Sequence, residues 1–366
     1  MIKTNSGAVF AAVSATILSG LFLFMPETVS AATSRALTLC AARVIPSVFP
    51  FSVLSSLFVS SGGDAFLDRA LSPASRCLFG TRRGASALVM GLLFGFPLGA
   101  LTVGEQCRAG TITKKEASRL LAFVCCASPT FPVFVVGKGY FGSTAVGLSI
   151  WVTQAVTSVL IGALTARTSR TPKRTSAITP AAPPNDTDAS FFSLVTRAVT
   201  DASRVMLNVC GSVTFFSIVS AVTVKLIEPV CTSPLPRLLI SAVFEFSSGT
   251  AAAYEACAAG NVSRAAAVAI CGFSIGFAGL SVMFQTASVC DDIPLFPHLC
   301  GKLACGLVTA VVTYFIASSP AFAPTFSADA QPVLQTYPVI TLIELVSAIL
   351  LIIFILYVIF RSKQKS

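Results

Sequence analysis

The sequence predicts an all-α, polytopic transmembrane protein with two inverted repeats, each containing a re-entrant hairpin and a broken helix. Three observations support this fold class: the composition, an internal duplication and the distribution of basic residues. Of the 366 residues, 54% are hydrophobic and only 11% are charged, which is too few charges to solvate the surface of a soluble protein of this size. The chain is therefore expected to use the lipid bilayer as its solvent.

The duplication involves a stretch of 21 residues. Residues 94–114 read FGFPLGALTVGEQCRAGTITK, and residues 244–264, at an offset of 150, read FEFSSGTAAAYEACAAGNVSR. Seven of the 21 positions are identical without gaps, whereas ordinary residue abundances would give about one or two. Earlier in each half, the serines, valine and phenylalanine of residues 47–55 match those of residues 212–220 at an offset of 165. Such duplication inside a membrane protein is the usual architecture of secondary transporters.

The first repeat is expected to span residues 31–166, behind an N-terminal membrane anchor at residues 1–30. The apolar stretch 7–25 is long enough to cross a bilayer, although it also resembles a signal peptide with a cleavage site at residues 29–31. Residues 36–58 carry Pro46 and Pro50, which predict a kinked helix inside protein. Residues 62–85, which hold several arginines, are expected to form a loop.

Residues 86–104 hold the first predicted hairpin, because glycines and a proline are too dense there for one straight helix. A kinked crossing helix is the alternative. Thr113 followed by Glu116 is a capping-box pattern, which predicts that a helix begins there. That helix, over residues 117–137, is expected to break at CCASPTFP, and a cleaner span over residues 145–166 ends the repeat.

The second repeat, residues 191–320, follows a polar linker at residues 167–190 that is rich in proline, serine and threonine. We expect an interfacial amphipathic helix at residues 191–206 that continues into a span, then a hairpin at residues 238–254. A helix over residues 265–286, broken at GFSIGFAG, and a span over residues 303–316 complete it. Residues 321–366 form a C-terminal region with a last span at 339–360 and a basic tail.

The basic residues predict the orientation in the membrane. If both hairpins re-enter, 19 of the 25 lysines and arginines, with Lys302 counted as a loop residue, fall on the side that holds the linker and both chain ends. The positive-inside rule makes that side cytoplasmic. With the same count of crossings, the first helix of the first repeat runs from outside to inside and that of the second repeat from inside to outside. The repeats are therefore predicted to be inverted.

The run MGLLFGFPLGALTVGEQCRAGTITKKEASRLLAFVCCASPTFPVFVVGKGYFGS at residues 90–143 resembles the sporulation integral membrane protein YlbJ family. VIPSVFPFSVLSSLF before it and GFAGLSVMFQTASVC after it extend the resemblance over most of residues 10–320. That family carries a nucleoside-recognition or Gate domain, which is similar to the gating regions of nucleoside and iron(II) transporters. This sequence departs from the family at the hairpin tip, Gly95-Phe96-Pro97, and before Pro129, where cysteines replace amide residues. The resemblance implies a bacterial cell-membrane protein that acts in sporulation.

Candidate substrate-binding residues are those that the breaks expose, because unpaired backbone groups at membrane depth are tolerated only beside protein or a wet cavity. The alternative is that the serines and threonines only pack helices closely. Glu105 and Glu255 occupy equivalent positions in the repeats, and an embedded carboxylate is a functional candidate, unless Glu105 only pairs with Arg108 at the surface. The other candidates are Gly95, Pro97, Gly99, Ser128, Pro129, Thr130, Ser247, Gly249, Ser274, Ser281 and Gln285.

No motif of an enzyme is present, so no catalytic residue is predicted. The twelve cysteines are scattered and His298 is the only histidine, a pattern that favours neither a cofactor nor a metal site. The net charge of +10 is explained by topology, so nucleic acid is not an expected partner. The expected partners are the lipid bilayer, a small solute with a nucleoside as one candidate, a coupling ion and further copies of the chain. A secondary carrier is the favoured function, and a non-transporting assembly factor for the spore envelope is the alternative.

Overall fold

A computed structural model describes residues 6–168, 191–231, 233–290 and 292–319. In these ranges the chain forms fourteen α-helices, two π-helical segments and no strand, and the predicted all-α class is confirmed. All of the described residues belong to one compact unit. Nearly all of the predicted linker at 167–190, the predicted span at 339–360 and both chain ends lie outside the described residues.

The N-terminal anchor prediction corresponds to helix α1 (Ser6–Phe24), which bends by 99° into the next helix. Helix α2 (Pro26–Leu39), a π-helical segment (Cys40–Val44) and helix α3 (Ile45–Ser60) then follow without interruption. The π-helical segment ends two residues before Pro46. Because the proline ring has no N–H and crowds the preceding turn, a local widening of the helix is a usual way to accommodate it.

Residues 62–85 are not the loop that the sequence predicted, because most of them form helix α4 (Gly63–Phe79). Left-handed glycines, Gly62 and Gly80, bracket this helix on its two sides. Its Ser75 Oγ accepts a hydrogen bond from the Ala85 N–H at 3.0 Å, which fixes it against the start of the next helix. The loop was predicted from its arginines, but the apolar residues between them recur at helical spacing.

The first hairpin consists of α5 (Gly84–Phe94) and α6 (Leu98–Arg108), two short helices that pack against each other. The predicted broken helix follows as α7 (Lys114–Val124), a non-helical stretch at 125–128 and a second π-helical segment (Phe131–Tyr140). Thr113 caps α7 as predicted, since its hydroxyl accepts the Glu116 N–H at 3.2 Å, but the Glu116 carboxylate accepts from Thr81. Helix α8 (Thr144–Thr168) ends this half.

The second half repeats this plan. Helix α9 (Phe191–Ile227) joins the predicted interfacial helix and the following span into one continuous helix. Helices α10 (Pro234–Phe244) and α11 (Phe246–Ala258) form the second hairpin, with the single residue Glu245 between them. Helices α12 (Arg264–Phe277) and α13 (Gly279–Val289) are the broken helix, and α14 (Phe296–Ser318) is the last helix described.

Two equivalent glycines let the arms of each hairpin pack closely. A Cβ atom added at Gly99 would lie 2.3 Å from the Val124 carbonyl oxygen and 3.1 Å from Gly91 Cα. One added at Gly249 would lie 2.5 Å from Ala242 Cα and 3.0 Å from Ser274 Oγ. Val124 and Ser274 are themselves 150 residues apart, so the sequence duplication extends to these packing contacts.

The contacts between the two halves are also duplicated. The α6 arm of the first hairpin meets the end of α13, where Cys290 Sγ lies 3.3 Å from the Ala100 carbonyl oxygen. The α11 arm of the second hairpin meets the end of the first broken helix, where the rings of Tyr140 and Tyr254 stack with centroids 5.0 Å apart. Cys290 is 150 residues after Tyr140. Each hairpin therefore packs against the far end of the other half's broken helix.

Several of these helices are long and apolar enough to cross a membrane. Among the described residues four helical spans meet this condition, and a fifth does if the bent pair of α1 and α2 is counted as one. The four are Thr144–Arg167, Phe191–Ile227, Arg264–Val289 and Phe296–Ser318. Large apolar side chains on α1, α8, α9 and α14 are exposed, as expected for helices that face lipid tails. The chain is thus a multi-pass membrane protein.

Candidate functional site

The tips of the two hairpins meet at the centre of the described structure. The rings of Phe96 and Phe246, one from each tip, pack edge to face with centroids 5.5 Å apart. Phe131, from the first broken helix, packs on Phe246 with centroids 5.0 Å apart. Beside these rings lies a cavity of about 30 Å³, which we call the central cavity. It is lined by Val44, Val48, Phe94, Gly95, Phe96, Ala127, Ser128, Phe131, Val209, Val213, Phe246, Val282 and Gln285.

Each hairpin tip rests on the break of its own broken helix. A Cβ atom added at Gly95 would lie 3.1 Å from the Ser128 nitrogen, and one added at Gly279 would lie 3.1 Å from Glu245 Cα. Gly95 and Glu245 are equivalent at the offset of 150. Gly95 has a φ of +83° and Gly279 a φ of +77°, so the contact in each half depends on a backbone that favours glycine.

Glu245 is a fully buried carboxylate at the second tip, with 0% of its surface exposed. Its Oε2 accepts hydrogen bonds from the Ser248 N–H at 2.6 Å and from the Ser247 hydroxyl at 2.5 Å, so it caps α11. Its Oε1 is buried and has no hydrogen-bond partner. A carboxyl oxygen without a partner is costly in a dry interior.

Two more unpaired polar side chains follow on α13. Ser281 is fully buried and its hydroxyl has no partner, while Gln285 is 2% exposed and neither its oxygen nor its nitrogen is hydrogen-bonded. Residues four apart lie on the same face of a helix, so both side chains share one face of α13. Gly279, the first residue of α13, touches Glu245, and Gln285 lines the central cavity. These unpaired groups therefore belong to two elements that are in contact.

The first break, in contrast, is closed by side chains from other helices. The Ala127 carbonyl oxygen accepts from Trp151 Nε1 at 3.2 Å and from Gln154 Nε2 at 3.3 Å, both on α8. Gln154 also accepts the Ala127 N–H through Oε1 at 3.3 Å. Lys302 on α14 donates to the Cys125 carbonyl oxygen at 2.7 Å. Three backbone groups that the break frees, the Ala127 N–H and the carbonyls of Ala127 and Cys125, are thus paired within the chain.

Lys302 therefore requires a correction of the predicted topology. The sequence analysis counted it in a loop, but it lies within α14 and is 3% exposed. One turn before it, His298 is also buried and its Nδ1 lies 2.8 Å from the Leu121 carbonyl oxygen. Both side chains bind carbonyls at the end of α7, and this pairing allows α14 to begin well before the predicted span. Lys302 no longer contributes to the predicted excess of positive charge on the linker side.

The other predicted candidates fall into two groups. Gly95, Ser128 and Gln285 line the central cavity, and Ser247 and Ser281 lie within a residue or two of the contact between the second tip and α13. The remaining candidates have structural partners: Pro97 is the N-cap residue of α6, Thr130 shares a hydrogen bond of 2.8 Å with Ser128, the Pro129 carbonyl accepts from the Val133 N–H, the Ser274 hydroxyl donates to the Ile270 carbonyl, and Gly99 and Gly249 pack the hairpin arms.

Glu105 and Glu255 lie away from this centre. Both are exposed, near the ends of α6 and α11, and neither lines the central cavity. Arg108, the suggested partner of Glu105, donates to the Val289 carbonyl oxygen at 3.0 Å. Their equivalent placement follows from the duplication, and a role for either in binding stays a prediction.

Sequence reasoning missed the charged residues at the centre. Glu245 is the only charged residue in the predicted second hairpin, and it occupies the position of Gly95 in the first hairpin. The sequence shows this difference, because residues 94–96 read FGF and residues 244–246 read FEF. Lys302 bonds a residue 177 positions earlier, and no local pattern reveals such a contact. Among the described residues, no group of three or more His, Cys, Asp and Glu side chains could hold a metal ion.

A second hollow, of about 440 Å³, is larger but is an open groove on α9 and α13. Leu207, Phe215 and Phe284 line it and are exposed. An apolar groove on the outside of a membrane protein is filled by lipid tails, so we do not assign it as the functional site.

The fold and this centre define a class: a polytopic helical membrane protein in which two duplicated hairpins meet the breaks of two discontinuous helices. The chain is 26% identical over 333 residues to "Sporulation integral membrane protein YlbJ" of Bacillus subtilis (strain 168), and the match covers 81% of each chain. The resemblance to the YlbJ family is thereby confirmed. No family model matches the chain, and no solved structure matches it.

Proposed function

We propose that this protein is a non-enzymatic carrier of a small polar solute, which binds where the second hairpin tip meets the break between α12 and α13. One observation carries the proposal: Glu245, Ser281 and Gln285 present buried polar atoms without partners in two contacting elements. Buried polar atoms of a folded chain are normally hydrogen-bonded. Those that have no partner in the chain therefore need donors and acceptors from a ligand. A solute that carries hydroxyl or amino donors, and also an acceptor for the Gln285 amide N–H, would supply these partners.

The duplicated contacts support a carrier with inverted repeats. In such carriers the site lies between the repeats, near the membrane midplane, and discontinuous helices supply its polar groups. Here each hairpin packs against the far end of the other half's broken helix, as Tyr140 with Tyr254 and Ala100 with Cys290 illustrate. This reciprocity is what two repeats of opposite direction would produce.

The central cavity is too small for a solute, so the described conformation represents a closed state in this proposal. A volume of about 30 Å³ accommodates about one water molecule. The packed rings of Phe96, Phe131 and Phe246 hold the two tips together. Separation of these rings would open a path to Glu245, and the hairpins would then act as gates.

The cellular setting is proposed from the relative. Because the similar protein of Bacillus subtilis is called a sporulation integral membrane protein, we propose that this chain acts in sporulation in a bacterial cell membrane. The closed cavity also fits a second candidate function, that of a membrane assembly factor for the spore envelope that moves no solute.

Ligand-dependent stabilisation of the purified protein separates the two candidates. The detergent-solubilised chain is heated with a panel of nucleosides, amino acids, sugars and small organic acids. Under the carrier proposal a subset of chemically related compounds raises the melting temperature in a saturable way, since binding to the folded state alone stabilises it. Counterflow of the best compound in proteoliposomes then tests movement. No stabilisation by any compound, in a protein that is folded and monodisperse, would favour the assembly factor.

A further inference from the structure

Lys302 occupies a position with three sources of negative potential. Its Nζ lies 2.7 Å from the Cys125 carbonyl oxygen and 5.3 Å from the centroid of the Phe96 ring, whose face attracts cations. The carbonyl belongs to the first residue after α7, where the aligned peptide dipoles of that helix leave a partial negative charge. The side chain is only 3% exposed, so little water competes for the ammonium group.

Unwound carbonyls and the C-terminal ends of half-helices are the groups with which membrane carriers coordinate monovalent cations. We propose that the Lys302 ammonium group is a built-in substitute for such a cation, so that the first break needs no metal ion to close. Lys302 would have this role in the resting structure of the first break whether or not the chain moves a solute.

The second break lacks the equivalent lysine. The position equivalent to Lys302 at the offset of 150 is Val152 on α8, whose side chain is 48% exposed. The second break instead faces the carboxylate of Glu245, which has an unpaired oxygen. The first break thus contacts a positive charge of the chain itself, whereas the second break faces a carboxyl group with an oxygen that is open to an exchangeable partner. The asymmetry assigns any exchangeable cation to the second break.

The test uses Lys302→Gln and Lys302→Ala in the full-length protein, with Lys115→Met as a control at an exposed position on α7. Glutamine keeps an N–H donor for the Cys125 carbonyl oxygen but removes the charge, and alanine also opens space. Melting temperatures are measured in the chlorides of sodium, potassium, methylammonium and N-methylglucamine at equal ionic strength.

We expect the wild type and Lys115→Met to melt at the same temperature in all four salts. Both Lys302 variants should melt about 5 °C or more lower in N-methylglucamine chloride. Lys302→Ala should regain part of this loss, saturably, in methylammonium, sodium or potassium.

The proposal is wrong if Lys302→Gln is as stable as the wild type in N-methylglucamine, because a neutral donor would then suffice. It is equally wrong if neither variant responds to any small cation more than the wild type does. A variant that keeps its stability but loses stabilisation by an anionic solute would show instead that Lys302 binds the solute. If Lys302→Ala does not fold, Lys302→Gln decides the question, since the amide replaces the hydrogen bond and leaves the cavity filled.

Discussion

At the scale of single residues, the second hairpin tip combines a satisfied and an unsatisfied oxygen on one carboxylate. The Ser248 N–H and the Ser247 hydroxyl hold Glu245 Oε2 in place, so the free Oε1 is fixed in orientation. A fixed group without a partner binds a ligand at a lower entropic cost than a mobile one. Glu245 therefore caps α11 through Oε2 and offers Oε1 as a preorganised acceptor. One substitution can separate the capping role from the binding role.

Glu245→Gln removes the charge and keeps the shape. We expect the best solute of the stabilisation panel to bind at least about tenfold more weakly, which corresponds to about 1.4 kcal/mol. Glu255→Gln is the matched control, because the same chemical change at this exposed position should alter stability by less than about 0.5 kcal/mol. Titrations followed by melting temperature measure both variants. Equal affinity for the solute in Glu245→Gln and the wild type would remove Glu245 from the site.

Gln285→Leu should separate stability from function. The amide of Gln285 is buried with neither atom paired, so an apolar side chain of similar size removes a desolvation penalty of roughly 1–3 kcal/mol. We expect a higher melting temperature without solute and a loss of solute-dependent stabilisation. Thr286→Val, a neighbouring change at a fully buried position that does not line the central cavity, is the control. A lower melting temperature in Gln285→Leu would show that the amide is satisfied in the resting protein.

At the scale of elements, the breaks were predictable because their causes are local. Gly95 and Pro97 end one helix and start the next within three residues, and the Ala278-Gly279 step does the same in the second half. Helix α4 was missed because its arginines were read as a loop, although the apolar spacing was present. The helix breaks are visible in composition, whereas the side chains that seal them, such as Gln154 and Lys302, come from distant helices and are not.

The close packing of the hairpin arms gives a prediction about Gly249. In Gly249→Ala the new methyl group would lie 2.5 Å from Ala242 Cα, so the arms of the second hairpin must separate. Overpacking of this kind costs roughly 1–3 kcal/mol, and we expect a lower melting temperature. Gly211→Ala is the control, because no atom lies within 4 Å of an added Cβ there and alanine favours the helix by about 1 kcal/mol. Equal melting temperatures for the two variants would mean that the arms are loosely packed.

At the scale of the whole molecule, the reciprocal contacts support the prediction that the two halves run in opposite directions. Lys114, at the start of the first broken helix, pairs with Asp292 just beyond α13 at 3.4 Å, and Ser118 donates to the Pro294 carbonyl oxygen. The first broken helix therefore begins where the second one ends. At the other end of the first broken helix, Tyr140 stacks on Tyr254 of α11, the hairpin arm that precedes the start of the second broken helix. Two broken helices that run in opposite directions through one bilayer require that equivalent positions lie on opposite sides.

Lys114 and Arg264 are such equivalent positions, 150 residues apart, and both are exposed. We predict that a single cysteine at Lys114 faces the cytoplasm and one at Arg264 faces outward, with a third probe at Ser176 in the linker on the cytoplasmic side. In a background without native cysteines, a membrane-impermeant maleimide should label only Arg264→Cys in intact cells and all three after permeabilisation. Labelling of Lys114→Cys and Arg264→Cys from the same side would refute the inverted repeats. Labelling of Ser176→Cys in intact cells would reverse the orientation and leave the inversion to be judged from the other two probes.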